Sequence, residues 1–150
     1  MKSKYLFHLA LASLVLAASP TLGQPEDSPD VSRLQDQGTV IEKLREIVAL
    51  RANLLEGQRP LVDAGRLSTI DLAKFEIALI ESEIELASAE GKSEMVSQRL
   101  RDLVDVYERK WETLKTQHEA GGAGVGRTDV AEARIDLLKA EIRLLHVVKD

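Results

Sequence analysis

The stretch GGAGVGRT, residues 121–128, would satisfy the phosphate-loop pattern G-x-x-x-x-G-K-S/T if Arg127 were a lysine. In such a loop backbone N–H groups cradle phosphates, the lysine reaches the outer phosphates and the hydroxyl holds magnesium. The loop must also follow a buried strand and open a helix. Here the preceding residues, YERKWETLKTQHEA, are polar and helical in character. The planar arginine fork has a different reach and donor geometry from a lysine ammonium. No later strand offers an acid for magnesium. GGAGVGRT is therefore expected to be a flexible turn, with no nucleotide and no other cofactor.

Two histidines, His118 and His146, follow the first 23 residues, and neither has a second histidine three or four positions away. A metal site on one helix face needs that spacing. Glu119 adjoins His118, but neighbours on a helix point apart. No metal site is expected, and no serine sits in a nucleophile-elbow pattern. Glu76, Glu81, Glu83, Glu85 and Glu90 are expected to be a solvated helix face. A carboxylate pair for hydrolysis would need a cleft to hold its substrate. Asp105 and Arg109 have attractive i,i+4 spacing, whereas Glu108 and Glu112 repel at the same spacing. No catalytic residue is assigned, and the chain is read as a non-enzyme.

The elements that carry these residues follow from composition and periodicity. The first 23 residues hold Lys2 and Lys4, no acid, and an apolar run from Tyr5 to about Ala18. This order is that of a secretory signal, with cleavage expected after Gly23 and export to the periplasm or cell envelope. The apolar run is shorter than the roughly 20 residues that a membrane span requires. Removing the leader leaves 18 basic against 25 acidic groups, a net charge of −7. Nucleic acid and anionic membrane surfaces call for a basic patch, so neither is an expected partner. The chain has no cysteine, which rules out disulfides, thiol catalysis and cysteine-ligated zinc.

Residues 24–38, QPEDSPDVSRLQDQG, are polar with two prolines and are expected to be a flexible leader. Beyond them, apolar pairs recur every seven residues at Val40/Ile41, Ile47/Val48, Leu54/Leu55 and Leu61/Val62. Arg51 and Gln58 make the seam partly polar, and Pro60 is expected to loosen its last turn. Gly65 stops this helix. A second helix is capped by Ser68 or Thr69 and runs to about Ala89. It has two apolar stripes, Ile70/Ile77/Ile84 and Leu72/Leu79/Leu86, displaced by roughly 160° on the helical wheel. Glu90–Ser93 is a turn or a weak point in a longer helix. A third helix carries Val96, Leu100, Leu103, Val104, Tyr107, Trp111 and Leu114, with the two aromatics on one face in a core role. A fourth begins near Thr128–Asp129, where Asp129 and Glu132 have capping-box spacing.

The two halves of residues 39–150 are related. LREIVAL (44–50) matches LRDLVDV (100–106) at an offset of 56, as does Ala64–Gly65 with Ala120–Gly121. After the glycine the offset is 58, with Asp71, Ile77, Leu79, Glu83, Ile84 and Leu86 matching Asp129, Ile135, Leu137, Glu141, Ile142 and Leu144. The repeats, about 40–90 and 96–148, are each helix, glycine turn, helix. The expected fold is all-α: two repeated antiparallel helical hairpins forming an elongated four-helix, coiled-coil-like bundle.

At this repeat unit the sequence resembles the outer-membrane efflux protein family, TolC-like. That family's halves carry a glycine closing a long helix, then an aspartate with an aliphatic neighbour, then alanine and leucine at helical spacing. Gly65 with Asp71–Leu72 and Gly121 with Asp129–Val130 fit, followed in the second copy by Ala133, Leu137, Ala140 and Leu144. The first copy departs there, with Phe75, Leu79, Ser82 and Leu86. The resemblance implies that Gly65, Arg66, Leu67 and Ser68, and Gly121, Gly122, Gly124, Gly126 and Arg127, form partner-facing tips. The implied partner is an adaptor-like protein, with self-association as the other expected contact. Alternating strands of 9–11 residues for a membrane barrel are absent, so only the periplasmic hairpins are represented. The function expected is a non-catalytic periplasmic role linked to outer-membrane efflux or export. The alternative is a free-standing periplasmic scaffold or chaperone-like binding protein.

Overall fold

The computed structural model describes residues 29–122 and 124–148. They form four α-helices, α1 (Pro29–Asp63), α2 (Thr69–Ala89), α3 (Ser93–Glu119) and α4 (Arg127–Val148). The described residues contain no strand and are all-α. The expected signal segment 1–23 and positions 24–28 of the expected leader lie outside the described residues. The rest of that leader, 29–38, belongs to α1, which corrects the expectation of a flexible segment. Proline at the first helical position loses no hydrogen bond, because the N–H it lacks would be unpaired there. Once the later turns are packed, each preceding residue adds one backbone bond, so the helix propagates back to Pro29.

Three helices stop in the same way. In α1 the Gly65 N–H donates to the Val62 carbonyl (2.9 Å) and the Arg66 N–H to Leu61 (2.7 Å). In α2 Gly91 donates to Ser88 (3.1 Å) and Lys92 to Ala87 (2.8 Å). In α3 Gly121 donates to His118 (3.0 Å) and Gly122 to Gln117 (2.8 Å). This paired pattern is the Schellman motif, which puts the first of each pair in the left-handed region. Gly65, Gly91 and Gly121 accordingly have φ of 67°, 69° and 73°. Glu90–Ser93 is thus a true chain reversal, and α2 and α3 are separate helices.

Helix α1 packs on α2, α2 on α3, and α3 on α4; among the described residues no close backbone approach joins α1 to α3 or α4. Arg45 meets Glu90 while Arg51 meets Ser82, so α1 and α2 run in opposite directions. Glu83 with Arg99 and Glu76 with Arg109 show the same for α2 and α3. The result is an open row of helices in which the two inner members are apolar on two sides. Its core joins Ala73, Ile80 and Ile84 of α2, Leu100, Leu103 and Val106 of α3, and Ala140 of α4. Leu100 and Leu103 are essentially inaccessible, each gaining about 1.5–3 kcal/mol from burial. Ile77, Val96, Val104, Tyr107, Leu144 and Val147 close over this core.

The polar interruption of the α1 seam has a partner. The Arg51 guanidinium donates to Ser82 Oγ at 2.7 Å and also to the Ala78 carbonyl. Ser82, fully buried in α2, donates its own hydroxyl proton to Ala78 O at 2.8 Å. Its repeat equivalent in α4 is the buried Ala140. Small size is what the two positions share, because a neighbouring helix lies against each.

Candidate functional site

The two repeat-related turns, 64–68 and 120–126, lie at the same end of the row. Ser68, Asp71 and Lys74 from the start of α2 line one open groove of about 340 Å³ with Gly124, Val125 and Asp129 from the second turn. Lys110 and Asp136, 3.7 Å apart, also line it. All the candidate turn residues except Leu67 are exposed: Gly65, Arg66, Ser68, Gly121, Gly122, Gly124, Gly126 and Arg127. Arg127 is the first residue of α4 rather than part of the loop.

Each turn is held by local capping chemistry. Ser68 is the N-cap of α2: its Oγ accepts the Asp71 N–H at 3.0 Å and donates to Asp71 Oδ2 at 2.7 Å. Lys74 adds a 2.7 Å contact to the other oxygen of Asp71. The Lys74 ammonium and then the Ser68 hydroxyl hold the Asp71 carboxyl below the usual carboxylate range. In the second copy Asp129 accepts the Gly126 N–H at 2.6 Å. Asp71 and Asp129 therefore occupy the same third position of their helices, as the repeat alignment requires. Helix α4 begins at Arg127, next to the expected start at Thr128–Asp129, but the expected capping box of Asp129 with Glu132 is corrected. Gly126 holds the cap position, its carbonyl taking the Val130 N–H, and Asp129 stands third in the helix. The glycine-then-aspartate pattern is thus a helix stop followed by a helix start, written twice.

The second turn differs from the first in its glycines. A Cβ on Gly122 would stand 2.8 Å from the Gln117 carbonyl oxygen, and Gly124 has φ of 101°. His118 reaches across this loop, its Nδ1–H donating to the Val125 carbonyl at 3.0 Å. His146 is exposed near the far end of α4, so the two imidazoles serve no common site. The described residues contain no group of three His, Cys, Asp or Glu able to hold a metal ion. None of their helices is long and apolar enough to cross a membrane.

The acids expected to form a solvated face instead tie helices together. Glu76 pairs with Arg109 (3.2 Å), Glu81 with Arg143 (2.6 Å), Glu83 with Arg99 (3.1 Å) and Glu90 with Arg45 (2.6 Å). Only Glu85 of this set is exposed. Arg109 consequently turns away from the Asp105 carboxylate, donating to that residue's backbone carbonyl at 3.4 Å. Lys92 and then Arg45 hold the Glu90 carboxyl low, while burial pushes Glu83 up against the opposing charge of Arg99. Tyr107 packs on the core, and burial followed by the nearby Asp136 and Glu81 charges raises its hydroxyl pKa. Trp111 on the same face is flanked by Arg134 and Lys115, 4.8 and 5.4 Å from its ring centre. Both aromatics are used inside the protein.

Sequence reasoning missed Arg45, Arg51, Arg99 and Arg143 as interhelical contacts. The signal that could have found them is a basic residue in one helix at the level of an acid in its antiparallel neighbour. Comparison with protein-family models, with curated proteins and with solved structures returns no match.

Proposed function

We propose that the chain is a non-catalytic assembly protein of the cell envelope, exported by its first 23 residues. In this reading its repeats are two equivalent antiparallel hairpins of an elongated coiled-coil-like array, TolC-like without the membrane barrel. A protein partner, adaptor-like in the sense of a helical protein meeting hairpin tips, binds the end formed by Gly65–Ser68 and Gly121–Arg127. The observation that carries the reading is the convergence of two sequence-related turns on one groove. Neighbouring groups support binding over catalysis because they already have structural uses: His118 fastens the turn, and the glutamates fasten helices.

Arg66 and Arg127 are exposed at this end and outside the core, so their charge can be reversed without disturbing packing. The double variant Arg66→Glu/Arg127→Glu is expected to lose partner co-purification from envelope extracts. Lys92→Glu, in the turn at the opposite end, is expected to keep it. Retention by the double variant would refute partner binding at the glycine turns.

A second, chaperone-like reading is favoured by the exposed apolar residues on α1 and α4. It predicts suppression of client aggregation by the purified chain, lost when those residues are made polar.

A further inference from the structure

Ten large apolar residues are exposed among the described residues, and eight of them form two stripes. Val40, Ile47, Leu50 and Leu54 lie on α1; Ile135, Leu138, Ile142 and Leu145 lie on α4. The internal repeat shows what such stripes are for. At the offset of 56, the α1 stripe corresponds to Val96, Leu103, Val106 and Lys110 of α3. At the offset of 58, the α4 stripe corresponds to Ile77, Ile80, Ile84 and Ala87 of α2. Of these, Ile77, Ile80 and Ile84 of α2 and Val96, Leu103 and Val106 of α3 belong to the core in which the two helices pack on each other. Ala87 is buried, and Lys110 pairs instead with Asp136 of α4. The two edge helices therefore carry, unpartnered, the two halves of an interface that the chain already makes once internally.

We propose that the outer face of α4 is covered by α1 of a second copy of the chain, repeating the α2–α3 packing between molecules. Charge follows the same rule. The internal pair Glu83–Arg99 transposes to Glu141 of one copy and Lys43 of the next. The pair Glu81–Arg143, which links α2 to α4 across α3, transposes to Lys139 of one copy and Glu85 of the next. The signs are exchanged, but the charges remain opposite. Glu85 is also the acid of the 76–90 set that no internal arginine covers. The third pair, Glu76–Arg109, transposes to Arg134 and Asn53, which neither attract nor repel as ions.

Such a contact joins two different surfaces, so it is heterologous and continues into a ring or a filament. It leaves the glycine-turn end of every copy free. Continuing the row also removes both exposed apolar stripes from water.

The test uses the purified chain and sedimentation equilibrium. Wild type is expected above monomer mass. Leu50→Glu, on α1, and Ile142→Glu, on α4, are each expected to be monomeric, and both should keep full helicity because the positions are exposed. Mixed in equal amounts, they are expected to form one-to-one dimers and nothing larger, since each molecule retains one intact face. Glu141→Lys should weaken association at least about tenfold, and Lys43→Glu in the same chain should restore it. A monomeric wild type would overturn the proposal. So would association of Leu50→Glu alone, which would mean α4 pairing with α4. Association surviving both stripe variants would place the contact elsewhere and overturn it equally.

Discussion

Arg143 of α4 and Glu81 of α2 are joined by two hydrogen bonds of 2.6 and 3.0 Å, although α3 lies between their helices in the row. The bond links the side chains of α2 and α4 across α3. Hydrogen bonding to Glu81 raises the Arg143 pKa further above its already high range, so the guanidinium stays charged at any working pH. Both side chains are partly exposed, at 43% and 31%, so solvent screens the pair. A double-mutant cycle with Arg143→Gln and Glu81→Gln should give a coupling of about 0.5–1 kcal/mol in urea unfolding. The coupling should shrink at high salt, and a coupling near zero at low salt would show that the bond does not hold α4 against α2.

Arg51 and Ser82 should behave differently, because the hydroxyl is fully buried. Ser82→Ala removes one acceptor while Arg51 keeps the Ala78 carbonyl, so a loss of about 1 kcal/mol is expected. Ser82→Leu must force α1 away from α2 and should cost about 1–3 kcal/mol, with α2–α3 packing preserved. Thermal unfolding of the two variants separates these outcomes.

The glycines divide into two classes. Gly121→Ala places a side chain at φ of 73° and should destabilise by about 1 kcal/mol or more. Gly57 lies inside α1, and a methyl group added there would meet no atom within 4 Å. Gly57→Ala should therefore stabilise by about 0.5–1 kcal/mol. Urea midpoints moving in opposite directions for the two variants would confirm the assignment.

Acidification should loosen the α2 cap and the α1–α2 contact. Asp71 and Glu90 have lowered carboxyl pKa values in the folded state. A depressed carboxyl contributes stability above its unfolded pKa and loses it as pH falls through the folded value. Glu83 has a raised pKa and works the other way, its contribution being present in acid and lost as pH rises. Unfolding midpoints should fall as pH drops below the ordinary carboxylate range. Ser68→Ala together with Glu90→Gln should flatten that fall, whereas Glu83→Gln should steepen it.

What the sequence conveys is largely local. Ser68 beside Asp71, and glycine at the ends of helical runs, mark starts and stops because capping uses atoms within a few residues. The repeat is readable because it depends on counting alone. The four glutamate–arginine pairs are not, since partners such as Arg45 and Glu90 are 45 residues apart and meet only once helix pairing and register are set. The same limit explains the leader: QPEDSPDVSRLQDQG has little apolar content, yet most of it continues a helix whose later turns are packed. At the candidate site, the glycine and aspartate spacing is visible in the sequence, but its role as two Schellman stops and two third-position acids requires geometry. That geometry also shows that Gly91, at the other end, has the same cap without matching the repeat pattern.

Site-specific photo-crosslinking in the intact envelope tests partner binding at the glycine-turn end most directly. A photoreactive residue in place of Arg66 or Arg127 should give the same discrete adduct, and one in place of Lys92 should give none. Equal labelling from position 92, or no adduct from either arginine position, would contradict it.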